Sequence, residues 1–137
     1  MIESCKDTVH YYETDRMGIT HHSNYIRWME EARVDYLKKI GWGYDRLEGE
    51  GIISPVTSIS CKYKNSTTFA DVIEIRVTVA EFRGVTLKLD YLMTKQDGQT
   101  VFEGHSEHCF LNNEGKIVKL AKEYPGFYET LQSLIDK

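Results

Sequence analysis

One segment limits the possible fold more than any other. Between Asn24 and Ile40, plotted at about 100° per residue, Tyr25, Met29, Ala32, Tyr36 and Ile40 fall on one line. Ile26 and Leu37 flank that line on one side and Trp28 on the other. The resulting stripe covers about half the circumference, wider than the face of an ordinary amphipathic surface helix. Gly41 and Gly43 end the helix where the chain must turn out of it. A helix so broadly apolar needs a surface that curves around it, and a strongly bent antiparallel sheet supplies one.

The rest of the chain has the pattern of such a sheet. Ile73, Ile75, Val77 and Val79 alternate with polar residues, as do Leu87, Leu89, Tyr91 and Met93, which is the signature of half-buried strands. Thr57–Tyr63 and Val101–Leu111 complete four strands, and Lys6–Tyr12 is a shorter one ahead of the helix. Turns are expected at Arg83-Gly84, at Gln96-Asp97-Gly98-Gln99, which reads as a tight hairpin, and at Asn112-Asn113-Glu114-Gly115. A short helix, Tyr44–Glu48, ends at Gly49 and Gly51, and a last helix is expected over Pro125–Ile135. A strand, a helix and then an antiparallel meander make an α+β layout, expected as one domain over residues 1–137.

Composition narrows the function classes. With 41% hydrophobic and 28% charged residues the chain can build a core and a solvated surface. A net charge of -4 argues against nucleic acid as the main partner, because such binding needs a basic footprint. The start of the chain carries Glu3, Lys6 and Asp7 and is not expected to be a signal peptide. No run of about eighteen apolar residues predicts a membrane span. Cys5, Cys61 and Cys109 are odd in number and widely spaced, so they read as reduced thiols of a cytoplasmic protein.

The densest chemistry lies in Tyr11-Tyr12-Glu13-Thr14-Asp15-Arg16-Met17-Gly18-Ile19-Thr20-His21-His22-Ser23-Asn24-Tyr25, a loop running into the long helix. Read alone, Asp15 is a turn or cap residue. The whole string resembles the 4-hydroxybenzoyl-CoA thioesterase family of the hotdog fold, whose loop runs Thr/Cys-Asp-x-x-Gly-x-x-x-His/Tyr-x-x-Tyr before a helix with an acidic residue, Ala and Arg. The matches are Thr14, Asp15, Gly18, His22 and Tyr25, then Glu30, Ala32 and Arg33, with the spacing kept throughout. A weaker likeness continues through Tyr63 to Asp71, where Ser66 stands at a position often proline in the family.

The resemblance implies a hotdog fold and hydrolysis of an acyl-CoA to acid and CoA without metal or organic cofactor. It implies Asp15 as the catalytic carboxylate, either nucleophile or general base. The His22 N–H would polarise the thioester carbonyl and its side chain would steady the loop or the water. Gly18 and Tyr25 would shape the substrate site. It also implies a homodimer or homotetramer with the site between subunits; an acyl carrier protein as donor stays open. Free N–H groups at a helix start suit an oxyanion, and desolvation beside Tyr11, Tyr12, Tyr25 or Trp28 would raise the basicity of a carboxylate.

Other residues have plainer readings. Glu30 and Arg33, three apart on the helix, can pair, and a paired Arg33 within the apolar stripe is expected against a subunit interface. Glu30 stands about two turns, roughly 12 Å, from His22 and reads as structural or supporting. His105 and His108 fall on opposite faces of a strand, against a shared metal. Lys62, Lys64, Arg83 and Lys88 could meet CoA phosphates but read first as solvated strand residues. Two rivals remain: a dehydratase on the same fold, for which no His-x-x-x-Gly-x-x-x-x-Pro stretch is present, and an acyl-CoA-binding module without turnover.

Overall fold

The computed structural model describes residues 3–135. Strand β1 (Cys5–Thr8) leads through a 3₁₀ turn (Tyr11–Glu13) to the long helix α1 (Ser23–Lys39) and the short α2 (Tyr44–Gly49). Four strands follow: β2 (Val56–Tyr63), β3 (Val72–Phe82), β4 (Thr86–Lys95) and β5 (Thr100–Cys109). One turn of helix, α3 (Leu120–Glu123), precedes α4 (Pro125–Leu134). The strands form one antiparallel sheet in the order β1-β3-β4-β5-β2.

The alternation read from the sequence decides which face of the sheet is dry. Ile73, Ile75, Val77 and Val79 of β3 and Leu87, Leu89, Tyr91 and Met93 of β4 are all buried. Helix α1 lies on that face and buries Tyr25, Trp28, Met29, Ala32, Tyr36 and Leu37. Ile40, expected on the same line, is only half-buried, because the helix has closed by then. Gly104 of β5 leaves no room for a side chain under the helix: a Cβ there would stand 2.7 Å from the Phe102 ring and 3.1 Å from Met29. Gly41, at φ +90°, ends α1 in the left-handed region, and the Trp42 N–H reaches back 2.9 Å to the Leu37 carbonyl. Helix α4 closes one end of the core with Phe127 and Leu131 fully buried and Phe127 stacked on Trp42 at 4.7 Å.

Three departures from expectation have local causes. The first strand was expected to run to Tyr12 but stops at Thr8, because the Glu13 carboxylate captures the His10 N–H at 2.8 Å and winds residues 11–13 into a turn. Tyr11 and Tyr12 are therefore 76% and 79% exposed and do not dry Asp15. The last strand ends at Cys109 rather than Leu111, which leaves the ladder to bridge Ile53 and Ile117. The α3 turn was not anticipated; a single turn carries no period to read.

Strand β2 stands apart. It is a sheet edge, exposed along nearly its whole length, and shows Val56, Ile59 and Tyr63 to solvent. Such an edge offers unpaired N–H and C=O groups and is normally covered. Among the described residues, no helix is long and apolar enough to cross a membrane.

Candidate active site

The loop between the 3₁₀ turn and α1 is pinched shut by its own backbone. Thr14 pairs with Thr20, the Asp15 N–H donates to the Ile19 carbonyl at 2.9 Å, and the His21 N–H donates to the Glu13 carbonyl at 2.8 Å. Gly18 takes φ +77°, a conformation that costs glycine nothing and other residues about 1 kcal/mol or more. That requirement explains the glycine at this point of the motif.

Two buried anchors then fix the loop to the core. Thr20 Oγ1 and Thr67 Oγ1 lie 2.6 Å apart, and the Tyr25 hydroxyl meets the same Thr67 oxygen at 2.9 Å. Burial pushes the Tyr25 phenol above its ordinary range, so it stays protonated. On the other side, the Glu13 carboxylate accepts from Trp28 Nε1 at 3.1 Å, while Asn24 Nδ2 donates to the Glu13 carbonyl at 2.9 Å. Glu13, Asn24 and Thr67 are buried, and none was picked out from the sequence. Only the buried position of a Glu just ahead of a loop motif could have pointed to the first, and that position is not visible without the fold.

The start of α1 is the electrostatic centre of this arrangement. The helix has no side-chain cap at His22 and no acidic residue in its first turn. His21 is exposed and accepts the Ser23 N–H on Nδ1 at 3.2 Å. The His22 N–H donates to no group among the described residues. The His22 ring is exposed, stacks on His21 with centroids 4.3 Å apart and meets the edge of Tyr63 at 6.1 Å.

Two cavities meet at His22. The larger, about 620 Å³, follows one face of α1 from Ser23 through Ile26 and Met29 to Arg33, and is faced by Val56 and Ile59 of β2. It falls within the usual range of small-molecule sites. The smaller, about 230 Å³, is lined by Ile19, Thr20, His22, Tyr25 and Tyr63 among others. Asp15 is half-buried, accepts the Met17 N–H on Oδ1 at 2.8 Å and lines neither cavity of the single chain.

The Glu30–Arg33 pair has the geometry expected for it. Arg33 is buried, and its Nη2 donates to both Glu30 oxygens at 2.8 and 3.0 Å, with Nη1 on the Ser54 carbonyl at 3.3 Å. Tyr44 adds its hydroxyl to Glu30 at 3.2 Å, and both paired residues line the larger cavity. His105 pairs with Asp90 at 2.6 Å on the exposed face while His108 is buried on the other, and no cluster among the described residues has a metal-binding arrangement. Lys64 pairs with Glu103, Arg83 with Glu81, and Lys88 with Glu81 and Glu107.

Residues 9–131 match the Thioesterase-like superfamily. The chain belongs to that family. It is a hotdog-fold thioester hydrolase by lineage, and the resemblance carried by the Asp15 loop is thereby shown. A provisionally named esterase of Aquifex aeolicus is 36% identical over 115 residues, covering 84% of this chain and 88% of that one. A Bacillus subtilis protein provisionally named an acyl-CoA thioesterase is 29% identical over 121 residues, 88% of each chain. Among solved structures, a DHNA-CoA thioesterase from Staphylococcus aureus superposes with a TM-score of 0.90 at 29% identity, over 96% of this chain and 89% of that one.

Proposed function

We propose that this thioesterase-family enzyme hydrolyses acyl-CoA thioesters to a free acid and CoA. The observation that carries the reading is the undonated His22 N–H at the positive end of α1, at the junction of two cavities. A carbonyl oxygen that gains charge in the transition state is stabilised by such a donor, and removing one typically costs about 10²–10³ in rate. Asp15 is assigned to attack the thioester carbon directly or to take a proton from the attacking water; CoA leaves as the thiol. The names of the Bacillus and Staphylococcus relatives support CoA as the carrier. An acyl carrier protein would present the same pantetheine arm.

The enzyme is proposed to act as a dimer or tetramer. Among the exposed apolar side chains, Val56, Ile59 and Tyr63 lie on the β2 edge, and Tyr11, Tyr12 and Met17 lie around the Asp15 loop. A second copy laid over both would dry the Asp15 carboxylate and bring it to bear on the cavity beside His22.

Thiol release should be measured over a panel of acyl-CoAs with the native protein and with Asp15→Asn. The substitution is expected to lower turnover by about a hundredfold or more, as loss of a nucleophile or base does, without changing the assembly. Full activity in Asp15→Asn removes Asp15 from the reaction. Because Asp15 lines neither cavity, a binding module without turnover is the second reading. Tight acyl-CoA binding with no thiol release from any substrate selects it.

A further inference from the structure

The wall of the larger cavity carries a polar device for which hydrolysis itself has no use. The Tyr91 hydroxyl lies 2.8 Å from Ser106 Oγ, and Ser106 Oγ lies 2.7 Å from His108 Nε2. All three residues are buried and all three line the cavity. Ile26, Met29, Val56 and Ile59 give the cavity an apolar stretch of wall, and the paired Glu30 and Arg33 also line it.

The pairing of the strands locates this relay. Ser106 stands opposite Ile59 and His108 opposite Val56, whereas Tyr63, at the other end of β2, touches His22. Arg33 and Glu30 act electrostatically on both Tyr91 and His108, which sets the relay near the third turn of α1. An acyl group whose carbonyl sits at the helix start would therefore reach the relay with its far end, roughly 12–16 Å along the helix axis.

The direction of the relay follows from the histidine. Burial first, and Arg33 second, hold His108 neutral, its pKa lowered to about 4. Its Nδ1 is buried and makes no hydrogen bond, although the Pro55 carbonyl is near enough to favour a proton on the ring. A neutral ring protonated on Nδ1 accepts the Ser106 O–H at Nε2, and Ser106 Oγ in turn accepts the Tyr91 O–H. Every hydrogen of the relay then points toward His108. Ser106 Oγ, which already accepts from Tyr91, and the Tyr91 hydroxyl oxygen each keep a lone pair that a further donor could fill.

Resting on the thioesterase reading, we propose that Tyr91, Ser106 and His108 are a specificity relay that selects acyl groups bearing a hydroxyl at the end remote from the thioester. The apolar wall takes the carbon skeleton, and the hydroxyl donates to the relay oxygens. A plain alkyl terminus makes no such hydrogen bond.

The test compares isosteric pairs long enough to span that distance, 10-hydroxydecanoyl-CoA against undecanoyl-CoA and 12-hydroxydodecanoyl-CoA against tridecanoyl-CoA, in native protein and in Ser106→Ala and Tyr91→Phe. For at least one pair the native ratio of kcat/KM should favour the hydroxyl by about tenfold or more, and both variants should collapse that ratio toward one. A purely structural loss would depress both members of a pair together and leave the ratio alone, which overturns the proposal. So does a native preference for the alkyl member in both pairs. If no acyl-CoA is hydrolysed, the thioesterase reading fails, and the same pairs are compared by equilibrium binding. A hydroxyl preference abolished in Ser106→Ala then upholds the relay, and equal binding refutes it.

Discussion

Glu13 should be the fastening on which the reactive loop depends. It is buried, and its carboxylate accepts from Trp28 Nε1 at 3.1 Å and from the His10 N–H at 2.8 Å. Glu13→Ala leaves the Trp28 donor with no acceptor where Trp28 is only 1% exposed, a loss of about 1–3 kcal/mol. The His10 N–H is easier to satisfy, because the His10 side chain is 54% exposed and water can approach; about 0.5 kcal/mol covers it. The expected loss is therefore about 2–3 kcal/mol, or roughly a 30- to 150-fold fall in the folded-to-unfolded ratio. Urea unfolding followed by circular dichroism, at fixed protein concentration, should register this as a midpoint lowered by about 1–2 M. A cycle with Trp28→Phe separates the pair from the rest: the double variant should be about 1–2 kcal/mol more stable than the sum of the single losses predicts. Simple additivity, or a loss under about 0.5 kcal/mol in Glu13→Ala, would refute the reasoning.

Gly104→Ala forces a methyl group against Phe102 and Met29, and should cost about 1–3 kcal/mol in the same urea assay; an unchanged midpoint would mean that the helix gives way freely. Ile59→Asp on the exposed edge of β2 should break the proposed assembly, read by light scattering on a sizing column, with the fold retained. The pKa of His108 is depressed from the ordinary 6.5 to about 4 in the folded chain, so the unfolded chain binds the extra proton first as pH falls. Stability from this group is present above about pH 6.5 and is lost between there and about pH 4, at up to about 1.4 kcal/mol per pH unit. The Glu31 carboxyl, raised to about 7 chiefly by its hydrogen bond with Asp7, works in the opposite sense over an overlapping range. Between about pH 4.5 and 6.5 the slope of stability against pH should therefore shift in the negative direction in His108→Phe and in the positive direction in Glu31→Gln; equal slopes in the native protein and His108→Phe would remove His108 from the account.

The parts of the fold written in strict periods were legible before any coordinates. The α1 stripe and the alternation in β3 and β4 follow from burial of one face, which is a property of each segment alone. Strand β1 was overrun because Tyr11 and Tyr12 suit a strand, while the carboxylate that ends it comes from Glu13 acting on His10. The motif from Thr14 to Arg33 identified the family through spacing, which survives without knowledge of partners. What holds the motif did not appear in it: Thr67 meets Thr20 and Tyr25 across more than forty residues, and the Glu13–Trp28 bond joins a loop to the far side of a helix turn. The relay stayed hidden for the same reason, since Tyr91 and Ser106 sit on neighbouring strands and His108 drew notice only as a metal candidate.

The tie between the loop and the β2–β3 connection has a consequence for synthesis. Val9 exchanges hydrogen bonds with Ala70 and Asp71, Ile19 bridges Thr68, and Thr20 meets Thr67. A nascent chain released from the ribosome as far as α2 already carries every residue from Thr14 to Arg33, yet lacks Thr67, which ties the far side of the Asp15 loop to the core. The earliest-made chemistry must wait for a stretch translated some fifty positions later, so premature termination before that point yields an inert fragment rather than a slow or unselective enzyme.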